Sequence, residues 1–183
     1  TELGRLVMEN PTIFRSLWNS VLYTSVGTFI NLTMTVLCAY PLARSKFSGK
    51  TIFTWMVAFT MLFSGGLIPL YLLILKLGLI NSIWAVVLPM AINPWFMFIM
   101  RTSFKDIDEA LFEAAIIDGA NELQILWKIV LPLSKPVLAT LLLFYAVGQW
   151  NEFFYPLIFL NDRALFPVQL ILRNVVLLGQ TQQ

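Results

Sequence analysis

The sequence predicts an all-α fold, a polytopic membrane helix bundle with about four spans. Three observations predict it. First, of 183 residues 58% are hydrophobic and only 12% charged, with a mean hydropathy of +0.79. Soluble domains lie nearer about 45–50% apolar and about 25% charged. Second, charge is missing from long stretches: 28 residues at 16–43, 25 at 51–75 and 24 at 77–100. Third, a stretch of 16 at 136–151 continues for 9 more at 153–161 if one carboxyl, Glu152, is accepted within it. A spanning helix needs about 20 mostly apolar residues. Buried helices of soluble proteins are shorter and keep a polar face.

The composition also excludes classes. Disorder needs low hydrophobicity and high net charge, whereas the net charge here is +2. That balance, with no long basic run, argues against nucleic acid as a partner. There is no histidine, so Ser-His-Asp or Cys-His catalysis and His-ligated metals are excluded within this chain. The single cysteine, Cys38, allows no internal disulfide and no CxxC site. No catalytic residue and no metal ligand is assigned.

Residues 1–16 carry Glu2, Arg5, Glu9 and Arg15 and lack the apolar core of a signal peptide. The first span is expected near 17–43. The linker 44–51 holds Arg44, Lys46 and Lys50 without an acid. The second span is expected near 52–75 and the third near 80–100. Gly65, Gly66 and Pro69 interrupt the second, Pro89 and Pro94 the third, and Pro156 the fourth, near 137–160. Broken backbone inside a bilayer is tolerated only where protein or a wet cavity satisfies it, although any one breaker is also an ordinary packing kink. Seven basic residues fall on the side of 44–51 and 101–135 and five on the other. Lys and Arg favour the cytoplasm, which places both segments there. Trp18, Trp55 and Trp84 sit near span ends, as an interfacial belt requires. The chain begins without Met and stops in VVLLGQTQQ; both ends read as cut from a longer membrane protein.

The polar segment 101–135 gathers six of the ten acids: Asp106, Asp108, Glu109, Glu113, Asp118 and Glu122. At about 100° per residue, Asp106, Glu109 and Glu113 share one helix sector, with Leu111 and Ala115 opposite. A helix is expected over about 106–118, with Gly119 as its left-handed stop. A second is expected over about 121–131, with Leu123, Leu126, Trp127 and Val130 at helical spacing. The acids read as a solvated face, as a carboxylate site, or as a docking surface for a basic partner.

Specific residues favour the last. Glu113-Ala114-Ala115, Gly119 six positions after Glu113, and Ile129-Val130-Leu131-Pro132 ten after Gly119 resemble the EAA loop of ABC-importer membrane subunits. The segments IPLYLLILKLGLINS and GQWNEFFYPLIFL are similar to the carbohydrate-uptake branch of these binding-protein-dependent permeases. Gly65-Gly66 before Ile68-Pro69 is similar to a subgroup associated with oligosaccharides. The resemblance implies a single permease-type transmembrane domain over 1–183, holding the second to fifth of six spans, in a bacterial plasma (inner) membrane with the EAA loop cytoplasmic. It implies that 101–135 forms a coupling helix docked on a separate ATPase. Glu113 then pairs with a basic group there, Ala114 and Ala115 permit close approach, and Gly119 turns the chain so that Trp127 and Ile129 pack back under the membrane. Leu131 and Pro132 complete the motif. Partners implied are ABC ATPase subunits, which carry the ATP and Mg, a second related permease subunit, an extracytoplasmic solute-binding protein and the lipid bilayer. This chain carries no cofactor of its own and is a transporter subunit rather than an enzyme.

Gly49-Lys50-Thr51 mimics a phosphate loop, but Arg44 stands where the motif needs glycine. Glu152 is the one charge inside a span, and such residues mark function by default. Trp150, Asn151 and Glu152 are expected either to face the translocation path, stacking on a sugar and bonding its hydroxyls, or to bond within the bundle. Asn31 and Asn93 leave the same two alternatives open. Rival readings are a permease for another solute class, such as a peptide or amino acid, an intramembrane enzyme using the loop carboxylates, and an ion channel or proton-coupled carrier.

Overall fold

The computed structural model describes the backbone of residues 11–44 and 47–180 and the side chains of 12–44 and 47–174. The N-terminal Arg5, the linker's Lys46 and the final three residues lie outside the described residues. Among the described residues these helices follow in order: α1 (Pro11–Ala43), α2 (Lys50–Leu62), α3 (Leu67–Lys76), α4 (Ile83–Val87), α5 (Pro94–Lys105), α6 (Glu109–Ile117), α7 (Glu122–Ile125), α8 (Lys135–Asn151), α9 (Phe154–Phe159) and α10 (Val168–Gln180). A 3₁₀ turn (Leu88–Met90) continues α4, and a π turn (Leu126–Val130) with one further turn (Leu131–Leu133) continues α7. There is no strand among the described residues.

Proline explains where the apolar stretches break. Its ring clashes with the carbonyl four residues earlier and it lacks an N–H. Pro69, Pro94 and Pro156 therefore act at Gly65, Met90 and Glu152. Helix α2 stops at Leu62, the 3₁₀ turn at Met90 and α8 at Asn151. Pro132 projects back onto Lys128, which lies within the π turn. Only Pro41 is carried inside an unbroken helix, the 33-residue α1.

Among the described residues α1 alone is, as a single helix, long and apolar enough to cross a membrane. Three bent pairs also qualify if each is one span: Lys50–Leu62 with Leu67–Lys76 (115°), Ile83–Met90 with Pro94–Lys105 (53°), and Glu122–Leu133 with Lys135–Asn151 (83°). The stretch expected as one helix over 137–160 is thus two, because Pro156 forbids helix through Glu152.

The chain forms two compact units. One comprises 1–29, 65–91 and 145–183. Its core holds Tyr23, Val86 and Leu160 in one cluster and Ile74, Ala85 and Phe159 in another. Side chains of α1 fix its return segment: Asn19 Nδ2 donates to the Ala164 carbonyl (2.8 Å) and the Tyr23 hydroxyl to that of Leu165 (2.7 Å). Asn81, at φ 62°, accepts from the N–H groups of Asn161 and Asp162 at 3.1 and 2.9 Å.

The other unit comprises 30–64 and 92–144. Ala39, Tyr40, Leu42, Met97, Met100, Phe104, Ile125, Val130 and Leu141 are buried in it. Arg101 Nε donates to the Leu42 carbonyl at 3.0 Å, and the Tyr40 and Phe104 rings meet edge-on at 6.3 Å. Helix α2 has no buried residue; Ile52, Trp55, Met56, Phe59 and Leu62 are all exposed. Such a contiguous apolar face marks a surface made for lipid or another chain.

Candidate functional site

The polar segment is built from its caps. The Asp108 carboxylate accepts from the Ala110 N–H at 3.0 Å and starts α6. Asp106 instead ends α5, so the helix expected over 106–118 is shorter, and Asp106 does not share its acidic face. The aspartate–aspartate pair marks two helix ends rather than one first turn. Gly119 closes α6 as expected, at φ +80°. Its N–H donates to the Ile116 carbonyl (3.0 Å) and that of Ala120 to Ala115 (2.9 Å), the paired bonds of a Schellman cap. Asn121 and Gln124 then form a capping box: Asn121 Oδ1 accepts from the Gln124 N–H (2.8 Å) and Gln124 Oε1 from the Asn121 N–H (3.0 Å).

Helix α6 turns Phe112 and Ala115 inward, while Glu113, Ala114 and Ile116 face outward with Ile117, which is 85% exposed. Only one of the two alanines is therefore open to a partner; the other makes room for the chain's own packing. In the next helix, Leu126 and Val130 are buried together with Ile125, but Leu123 and Trp127 are exposed. Leu123 and Trp127 (69% exposed), four residues apart, share an exposed side, so the buried face is narrower than the expected spacing gives; a π turn runs through Leu126–Val130. Ile129 and Leu131 are half-buried and Pro132 exposed.

Arg44, the residue after α1, is the centre of this unit's polar packing and only 7% exposed. Its Nη1 lies 3.8 Å from Glu109 Oε1 and its Nη2 3.5 Å from Glu122 Oε1. Its guanidinium carbon stands 4.1 Å over the Phe112 ring, a cation–π contact. The Tyr40 hydroxyl donates to Glu122 Oε2 at 2.5 Å. A cavity of about 160 Å³ opens beside Arg44, also lined by Lys50, Lys105 and Ile107. In the sequence Arg44 stands out as a topological charge and as the residue that breaks the phosphate-loop pattern, and Tyr40 carries no signal. Glu122 lies 78 residues from Arg44, and no local pattern joins residues so far apart. Among the described residues no three acids gather where they could hold a metal ion.

Trp150, Asn151 and Glu152 lie where α8 ends. The Trp150 carbonyl accepts from Gln169 Nε2. Asn151 Nδ2 donates to Val147 within its own helix (2.8 Å). Glu152 Oε1 accepts from the Phe154 and Tyr155 N–H groups at 2.8 and 3.1 Å. Its carboxylate thus caps α9, where an anion also suits the helix dipole. The trio does not converge on one point. The residue before it, Gln149, is buried against Gly27, a position that no sequence signal marked. Asn93 caps α5, its Oδ1 accepting from the N–H groups of Trp95 and Phe96 at 2.9 and 3.3 Å, while Asn31 is buried.

Comparison with known proteins supplies the context. Protein LplC of Bacillus subtilis (strain 168) is 47% identical over 175 residues, covering 96% of this chain and 59% of that protein. The polygalacturonan/rhamnogalacturonan transport system permease protein YtcP of the same strain is 43% identical over 179 residues, covering 98% and 63%. The crystal structure of a bacterial ABC transporter involved in the import of the acidic polysaccharide alginate matches at a TM-score of 0.90 with 36% identity, over 93% of this chain and 61% of that one. The chain thus spans about three-fifths of the length of the relatives it matches. Residues 17–177 match the family described as the inner membrane component of binding-protein-dependent transport systems. The chain belongs to that family.

Proposed function

We propose that the chain is the membrane-spanning permease part of an ATP-driven importer for sugars or oligosaccharides, and that residues 106–133 dock on a separate ATPase. One observation carries the docking reading: α6 presents Glu113, Ala114 and Ile117 outward from a helix capped at both ends and held from within by Arg44. An acidic side chain ringed by exposed apolar ones fits a cleft with a basic residue and an apolar floor. Ala114 lets the two surfaces approach. Closure of paired ATPases on ATP and Mg then pulls the docked helices together, and the spans rearrange between inward- and outward-facing states as packed bodies. Nucleotide chemistry stays on the partner.

The saccharide reading rests on relatives that carry polygalacturonan/rhamnogalacturonan and arabinooligosaccharides in their names and on the alginate importer. A second reading, a phosphorylated small solute, is favoured by an sn-glycerol-3-phosphate permease of Yersinia pestis at 30% identity. The remaining partners are a second related permease subunit, an extracytoplasmic solute-binding protein and the bilayer, which the apolar α2 fits. We place segments 44–51 and 101–135 in the cytoplasm of a multi-pass inner membrane protein. Trp150, Asn151 and Glu152 remain the proposed edge of the solute path, with Trp150 and Asn151 exposed.

The test is purification of the complex from cell membranes in mild detergent, with partners identified by mass, beside a Glu113→Lys form. An ATPase that accompanies the parent and is lost from the variant supports docking. A parent that purifies alone overturns it.

A further inference from the structure

We propose that Arg44 is the positioning residue through which the docking segment moves α1. The proposal rests on the docking function just given for residues 106–133.

Arg44 touches the segment at three points on two helices. Glu109 belongs to the first turn of α6, Phe112 to its inward face, and Glu122 to the first turn of α7. The two helices follow one another through the Gly119 turn, and each has its own hold on the same guanidinium. A displacement of either reaches the end of α1. The planar, five-donor guanidinium suits this work, since it can stack on an aromatic face and meet carboxylates at its edge together.

The α1 side is equally fixed. Tyr40, one turn before Arg44, takes the other oxygen of Glu122, so two residues at the end of α1 divide one carboxylate between them. Arg101 of α5 binds the Leu42 carbonyl between them. Lys50 and Lys105 line the adjoining cavity. With those like charges near, the burial of Arg44 depends on its two carboxylates. Arg44 is buried while the Glu109 and Glu122 side chains are about half exposed, so loss of either carboxylate leaves a buried cation with less compensation. Such a packed, charge-locked element transmits a rigid shift rather than absorbing it.

The test uses the complex as isolated from membranes, with Cys38→Ser and spin labels at Met34→Cys on α1 and Leu111→Cys on α6. Both positions are exposed; Met34 lies outside the docking segment, and Leu111 lies within it but is neither one of the outward residues Glu113, Ala114 and Ile117 nor a contact of Arg44. The distance between labels is measured by pulsed electron paramagnetic resonance without nucleotide and after trapping with ATP and vanadate. In the otherwise unaltered complex the distance is expected to be the same in both states, because segment and helix move together. In Arg44→Gln it is expected to change by about 2 Å between states, the scale of helix shifts in such transitions. An Arg44→Gln complex whose label distance stays constant overturns the proposal. If Arg44→Gln does not assemble, Arg44→Lys and Tyr40→Phe decide: each loosens one contact and is expected to give a smaller shift, and constancy in both overturns it. Absence of an ATPase or of nucleotide trapping in the unaltered complex is a different result, the failure of the docking function itself.

Discussion

Gln149 occupies the space that any side chain at Gly27 would need. A Cβ built on Gly27 stands 2.6 Å from the Gln149 Cδ and 2.9 Å from both amide heavy atoms. The amide is the far end of a flexible side chain, but it is only 5% exposed and has little room to retreat. Overpacking of this kind costs about 1–3 kcal/mol. Gly27→Ala is therefore expected to destabilise the purified complex by that amount in thermal unfolding. Gly27→Ala with Gln149→Ala is expected to recover most of it, as a double-mutant cycle shows directly.

Gly119 resists substitution for another reason. Its φ of +80° closes α6, while nothing lies within 4 Å of where its Cβ would be. Backbone alone sets the effect. Gly119→Ala is expected to cost about 1–2 kcal/mol, and Gly119→Asn less, since asparagine tolerates the left-handed region. Denaturation midpoints of the two variants check the order.

Glu152 distinguishes a cap from a solute contact. One oxygen, Oε1, accepts both the Phe154 and Tyr155 N–H groups. A glutamine keeps such an acceptor and an alanine does not. Glu152→Gln is expected to retain stability, and Glu152→Ala to lose about 1 kcal/mol, the usual worth of a helix cap. Uptake lost in Glu152→Gln at unchanged stability would instead assign the carboxylate to the solute.

Asn81 combines backbone and side-chain roles. At φ 62° it favours glycine, yet its Oδ1 holds two N–H groups of the 161–162 segment. Asn81→Gly keeps the first advantage and loses the second; Asn81→Ala loses both. The alanine variant is expected to be the less stable of the two by about 1 kcal/mol or more, measured by unfolding or by hydrogen exchange of the Asn161 and Asp162 amides.

The legible features are those written locally. Charge-free stretches marked α1 and the paired helices, because lipid requires uninterrupted apolar chain and the chain displays it directly. The Gly119 stop was legible because left-handed backbone demands a particular residue. The breaks were only half legible. Pro156 was visible as punctuation, but its action one turn upstream, at Glu152, follows from the ring clash and moves the apparent intramembrane charge to a helix end. The π turn was not legible: Pro132 hinted at it, yet no periodicity in Leu126–Val130 shows the added residue. Least legible was the Arg44 group, whose members at 40, 44, 109, 112 and 122 meet only when α1 and the polar segment fold together.

Helix α2, in which Thr54, Val57 and Ala58 are half-buried and no side chain is fully buried, has a further consequence for tolerance to substitution. A residue that fills no interior gap has no shape to match, so Leu, Ile, Met and Phe should exchange freely at the exposed positions Ile52, Phe53, Trp55, Met56, Phe59, Met61 and Leu62. What constrains it is transfer into hydrocarbon, where one Lys or Asp near the middle costs about 2.5–3.5 kcal/mol. A saturation library over α2 should accordingly sort by hydropathy and ignore volume, whereas one over the buried Met97–Phe104 face of α5 should sort by volume.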